Sequence, residues 1–130
     1  MPTIEIGKTG TSTRVISEKD TALRVGSGSL PVCATPVLSA VMEAAAVDAL
    51  KDCLPEGTTS VGIAISLSHK APTLVGRTVT ASATLTAAEG RKLTFRIEAR
   101  DEAGEVGSAD HVRFLVEETP FMEKAAKRYL

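Results

Sequence analysis

Three stretches of this chain alternate with period two. From Ser60 to His69, Val61, Ile63, Ile65, Leu67 and His69 share one face of a strand, and Ser60, Gly62, Ala64, Ser66 and Ser68 share the other. A second strand runs from about Thr78 to Ala87, with Val79, Ala81, Ala83 and Leu85 opposite Thr78, Thr80, Ser82, Thr84 and Thr86. A third sets Leu93, Phe95, Ile97 and Ala99 against Thr94, Arg96, Glu98 and Arg100, and a fourth spans about Val106 to Glu117. The turns are Glu89-Gly90 and Glu102-Ala103-Gly104-Glu105. A weaker strand is expected at Ser12 to Ser17, where threonine, valine and isoleucine cluster.

One segment breaks the alternation. Val37 to Leu50, VLSAVMEAAAVDAL, is apolar nearly all round and predicts a helix buried on most of its surface. Thr35 is its expected N-cap and Pro36 its first helical residue. The run continues to about Cys53, where Leu54-Pro55-Glu56-Gly57 stops it. Gly26 to Ser29, with Leu30-Pro31, reads as a loop. A short helix is expected from Thr119 to Leu130, with Thr119 as cap and Pro120 at its start. The order is strand, long helix, four antiparallel strands: an α+β fold, with a five-stranded antiparallel sheet wrapped around one helix. One helix covers one face of such a sheet and leaves edges and a second surface to manage. Dimerisation is a physical solution.

The chain's 130 residues suit one domain, 1–130. Aromatics are 3%, with no tryptophan, so the core must be aliphatic and little is available to stack bases or sugars. A net charge of -1 argues against nucleic-acid binding through a basic surface. No apolar run approaches the roughly 20 residues of a membrane span. MPTIEIGKTG lacks the hydrophobic segment of a secretory leader. Cys33 and Cys53 form neither a metal spacing nor a disulfide framework, and Cys53 is expected in the core. A soluble, cytoplasmic protein is the expectation. There is no GxSxG elbow, P-loop, dinucleotide fingerprint or HExxH.

The residue that changes the picture is Glu43, an acid on the apolar helix. A carboxylate there costs free energy unless it is paired, hydrogen-bonded or protonated. Helical spacing puts Ser39 one turn before it and Thr35 two turns before it, a polar stripe at i, i+4 and i+8. On the residues alone, Glu43 fits a buried network, a dimer contact or a catalytic acid. Thr35 fits a plain N-cap, or a hydroxyl beside a substrate where the helix dipole favours an oxyanion. His69 fits a structural histidine, or the partner of Glu43 in an acid–base pair if the helix packs on its strand. His111 and Arg113 share a face of the last strand. For His111 a solvated edge is expected, while Arg113 suits a carboxylate or phosphate. Arg77, Arg91 and Lys92 are expected at the surface, where they could also meet a nucleotide's phosphates.

These segments together resemble the hotdog-fold thioesterases, and within them the fluoroacetyl-CoA thioesterase-like family, from about Val32 to Phe121. The resemblance rests on Ala34-Thr35 followed by the helix with Met42-Glu43, on Ser60 to Ile65 ending in Ser68-His69, and on Glu89 to Leu93 followed by Val106-Gly107-Ser108 with His111 and Arg113. It implies a Thr35, Glu43 and His69 triad; in the thioesterase reading built on it, Arg113 and the Gly62 backbone shape the site. It also implies a homodimeric hotdog fold with acyl-CoA bound at the subunit interface. The expected reaction is hydrolysis of a small or medium acyl-CoA, with Glu43 as nucleophile or general base, His69 moving a proton and Thr35 near the carbonyl. Coenzyme A enters only as part of the substrate, and no metal or other cofactor is required. The loop Gly26 to Ala34, poor in aromatics, does not name the acyl group. The alternative is an acyl-CoA or small-ligand binding module without turnover. A hotdog hydratase is a third reading, for which the chain carries no signature.

Overall fold

The computed structural model describes residues 4–130; residues 1–3, the start of the segment MPTIEIGKTG, lie outside it. The strands are β1 (Thr9–Val15), β2 (Thr58–His69), β3 (Thr78–Glu89), β4 (Lys92–Asp101) and β5 (Gly104–Glu117). The helices are α1 (Ala22–Val25), α2 (Thr35–Ala49) and α3 (Glu118–Lys127). The sheet is antiparallel throughout, in the order β1-β3-β4-β5-β2. It curls around α2, the arrangement of the hotdog fold. No helix among the described residues is long and apolar enough to cross a membrane.

Alternation holds on β3 and β4. Val79, Ala81, Ala83 and Leu85 are buried, as are Leu93, Phe95, Ile97 and Ala99. They meet Leu38, Val41, Met42, Ala45, Ala46 and Ala49 from α2 in a largely aliphatic core. Fully burying one Leu- or Ile-sized side chain stabilises by roughly 1.5–3 kcal/mol, so this seam holds the fold. α2 packs chiefly on β1 and β3 and only lightly on β2 and β4. The close side depends on Gly10, where a Cβ would overlap the backbone of Ala45 and Ala49. Over β3 and β4 the opposite face of the sheet is polar. There Arg96 bridges Glu98 at 3.0 Å and Asp110 at 3.4 Å, which answers how the second surface is managed.

Several boundaries and faces differ from expectation. The first strand is Thr9–Val15 rather than Ser12 to Ser17. α2 ends at Ala49 rather than Cys53, because Leu50, Lys51 and Cys53 bond back three residues in a tightened turn. Ala34, not Thr35, is the N-cap of α2. α3 starts at Glu118 behind a Glu117 cap, ahead of the expected Thr119. β2 does not keep one parity. Gly62 pairs with Arg113 and Ala64 with Val112, so Ile63 is an extra, bulged residue. Directly paired residues share a face. Ser60 and Gly62 therefore turn inward with Leu115 and Arg113, while Ile65, Leu67 and His69 turn inward beyond the bulge with His111, Ala109 and Gly107. Val61 pairs with Phe114 on the outer face, and Ile63 is 56% exposed. β5 is no edge, since it lies between β4 and β2.

Candidate active site

The start of α2 is fixed by the segment before it. Asp20 is buried and accepts from Arg14 Nη2 at 2.7 Å, Arg14 Nε at 3.3 Å, and the Ser17 amide and hydroxyl, both at 3.0 Å. Those bonds, the arginine first, hold its carboxyl at about 2, against the cost of burial. Its backbone carbonyl accepts from the Ala34 amide at 2.9 Å, and the Cys33 amide donates to Thr73 O at 2.8 Å. The helix is thus entered from a pinned chain.

Because Ala34 is the cap, the Thr35 side chain is free of capping duty. Its Oγ1 lies 2.8 Å from His69 Nδ1 at the end of β2. Both line a cleft of about 290 Å3, together with Val32, Cys33 and Ala71. Burial pushes the His69 imidazole below the ordinary 6.5, outweighing the opposite pull of the Ala71 backbone. Near pH 7 the ring is therefore neutral, the state in which it can take a proton.

Eight residues along α2, or about 12 Å along its axis, Glu43 forms a second centre. Its Oε2 lies 3.6 Å from Arg113 Nη1, and its side chain is 41% exposed in the protomer. Arg113 is buried. Its Nε donates to Ser60 Oγ at 2.8 Å, its Nη2 to Ser60 O at 3.1 Å, and its Nη1 to His111 Nε2 at 3.2 Å. Burial lowers the guanidinium's pKa from its usual value, and Glu43 opposes that. Gly62 sits over this cluster. A Cβ there would lie 2.8 Å from Glu43 Oε2, 3.3 Å from Arg113 Nη1 and 3.3 Å from His111 Cε1. Gly62 is thus the residue that lets the β2 backbone approach the carboxylate.

The structure brings Thr35 to His69, and Glu43 to Arg113 and Gly62. Within one protomer it does not bring Glu43 to His69, since the acid's charged partner is Arg113. Two residues of the cluster run against or beyond the sequence expectations. His111 is 1% exposed, not a solvated edge residue, because β5 is flanked on both sides. Ser60 holds two N–H groups of Arg113. The signal for His111 was its shared face with Arg113, while Ser60 was concealed by the Ile63 bulge.

The profile of the fluoroacetyl-CoA-specific thioesterases matches residues 16–119, most of the chain. The chain belongs to this family. Its members are thioester hydrolases. A fluoroacetyl-CoA thioesterase of Streptantibioticus cattleyicolor is 38% identical over 97 residues, 75% of this chain and 70% of that one. A solved structure of the fluoroacetyl-CoA thioesterase FlK superposes with a TM-score of 0.89 at 31% identity, covering 96% of this chain and 97% of that one. FlK has also been solved in complex with fluoroacetate and CoA, as a variant 32% identical to this chain; the match has a TM-score of 0.85 and covers 91% and 99% of the two chains. A thioesterase superfamily member of Thermus thermophilus, at 24% identity and a TM-score of 0.88 over 99% of this chain and 98% of that one, supports the fold alone. The family resemblance and the hotdog fold expected from Ala34-Thr35, Met42-Glu43 and Ser68-His69 therefore hold.

Proposed function

We propose that this protein hydrolyses a small or medium acyl-CoA to the free acid and coenzyme A, using Thr35, Glu43 and His69. The observation that carries the proposal is the Thr35–His69 bond at 2.8 Å in a cleft at the start of α2, within a family of thioester hydrolases. The thioester carbonyl carbon is attacked either by Glu43 or by a water that Glu43 deprotonates. The carbonyl oxygen becomes an oxyanion, for which the positive end of the α2 dipole and the Thr35 hydroxyl are suited. The C–S bond then breaks and the thiolate leaves. In the direct route Glu43 takes the proton of the attacking water and His69, neutral near pH 7, relays a proton to the leaving thiolate; in the covalent route His69 takes the proton of the water that opens the anhydride. In the direct route water supplies the hydroxyl of the acid; in the covalent route it then hydrolyses the Glu43 anhydride to the same products. Arg113 and the Gly62 backbone keep the carboxylate in place.

The working unit is a homodimer, with the acyl-CoA site at the subunit interface. Three features of the protomer support this. β2 is an edge strand, and its bulged Ile63 is exposed. α2 shows an apolar stripe of Ala40, Ala44 and Val47 to solvent. Glu43 and His69, which do not meet in one protomer, border those surfaces. All 130 residues act as one domain in this reading.

Free thiol release from acetyl-, fluoroacetyl-, butyryl- and benzoyl-CoA tests the activity, with Glu43→Ala beside the parent. Turnover of one or more substrates by the parent, and a folded Glu43→Ala without turnover, is the expected result. Tight binding with no thiol released would replace hydrolysis with a binding module. A fully active Glu43→Ala would remove the mechanism. Light scattering on the eluting peak checks the dimer.

A further inference from the structure

We propose that His111 is a positioning residue, whose neutral ring with its proton on Nδ1 holds the Arg113 guanidinium at the correct distance from Glu43. This rests on Glu43 being the reacting carboxylate. The hydrogen-bond directions leave one arrangement. His111 Nδ1 lies 2.8 Å from the Ala64 carbonyl, which can only accept, so Nδ1 carries the proton. Nε2 lies 3.2 Å from Arg113 Nη1, which can only donate, so Nε2 presents its lone pair. The ring is buried, so no solvent substitutes for either partner. Ala64 follows the bulged Ile63, and the irregularity that turns Gly62 inward also aims this carbonyl at the ring.

The chain of bonds runs from the β2 bulge through His111 to Arg113. With Ser60 holding Nε and Nη2, His111 supplies the remaining restraint, on Nη1. Nη1 is also the atom that approaches Glu43, at 3.6 Å. Arginine–carboxylate forks close to about 2.7–2.9 Å when nothing restrains them. Held back by His111, the guanidinium neutralises its surroundings without occupying the carboxylate's lone pairs. The charged groups facing the ring are Arg113 on its own strand and Glu43 from α2; β2 presents the Ala64 carbonyl and β4 the Phe95 ring, 6.4 Å between centroids. A proton on Nε2 would set N–H against N–H and release Arg113 toward Glu43. Burial, aided by Arg113, already pushes the ring below the ordinary 6.5.

Two substitutions separate the ring's two bonds. Asn at 111 keeps a donor for Ala64 O and falls short of Arg113, whereas Gln extends an acceptor toward Arg113. His111→Asn is expected to lower kcat about ten- to hundredfold, as a displacement of about 1 Å does at a reacting group, with KM nearly unmoved. His111→Gln should recover most of that loss and remove one protonation from the acid limb of the kcat profile. Long-range proton–nitrogen NMR of the folded parent should show Nδ1 protonated and Nε2 bare at pH 7, and the Arg113 Nε proton should exchange faster in His111→Asn. An Nε2 proton in the parent, or equal kcat in the parent and His111→Asn, overturns the proposal. Equal losses in Asn and Gln, following unfolding midpoints, also overturn it by making His111 merely structural. If the parent releases no thiol from any of the acyl-CoAs above, hydrolysis fails as the function; the tautomer and the Arg113 exchange still decide whether His111 positions the guanidinium.

Discussion

Asp20 and Glu43 are both carboxylates paired with an arginine, and their surroundings are opposite. Asp20 is buried, meets Arg14 at 2.7 Å and accepts two further bonds from Ser17. Its lone pairs are spent. Glu43 is half-exposed and meets Arg113 at 3.6 Å, and the other bonds of that arginine go to Ser60 and His111. Its lone pairs are free to take a proton or attack a carbon. An ion pair that saturates the acid serves architecture, as Asp20 does by pinning the entry to α2. An ion pair that holds an acid without saturating it leaves chemistry available.

Neutralising each acid should separate those roles. Glu43→Gln keeps shape and removes charge. It should cost about 10²- to 10⁴-fold in kcat/KM, the usual range for a lost acid–base group, with little change in unfolding midpoint. Asp20→Asn should do the reverse, losing about 1–3 kcal/mol of stability by urea unfolding while the folded fraction keeps its kcat. If Asp20→Asn were stable and inactive, the distinction between the two acids would collapse.

The smaller test concerns the glycine that gives Glu43 its room. Gly62→Ala sets a methyl 2.8 Å from Oε2, the movable end of a side chain rather than backbone, and 3.3 Å from the buried Arg113 and His111, which must give by a few tenths of an ångström. The carboxylate should swing aside at little cost in stability, and kcat should fall about tenfold or more. A Gly62→Ala enzyme with full activity would show that Glu43 need not lie where it does.

What was legible in the sequence follows the same divide. Period two on β3 and β4, and the apolar run of α2, dictate the core because burial rewards a regular pattern. Thr35, Glu43 and His69 stood out as polar groups on otherwise apolar faces. Arg113 was read from the face it shares with His111, and Gly62 only within the thioesterase reading. Ser60 was hidden by one irregularity, and His111 by the place of β5 inside the sheet. A single bulge at Ile63 reverses parity, so the same strand points Ser60 inward on one side of it and Leu67 on the other. Bulges depend on pairing with a strand some 50 residues away, which no local window contains. The role of β5 was misjudged for a related reason, since chain order does not say that the last strand returns to the middle of the sheet.

Proton linkage offers the smallest effect and the finest separation of the two regions. Both imidazoles sit below the ordinary 6.5 because burial disfavours their charged forms. As pH falls through about 6.5 the unfolded chain binds these protons before the folded one does. Stability must then decrease toward acid, by at most about 1.4 kcal/mol per pH unit for each histidine, and level off below the folded values. Asp20 acts lower down. Its carboxyl is held at about 2 against an ordinary 3.8, so its contribution is whole above 3.8 and is lost as pH falls toward 2. Urea unfolding from pH 8 to pH 3 should therefore show two arms, an upper one from His69 and His111 and a lower one from Asp20. His111→Gln should reduce the arm below 6.5 to the share of His69 and leave the lower arm, while Asp20→Asn should flatten only the lower one. Stability rising between pH 7 and pH 5 would mean that the imidazoles are charged in the fold, and Arg113 would then have no acceptor at His111.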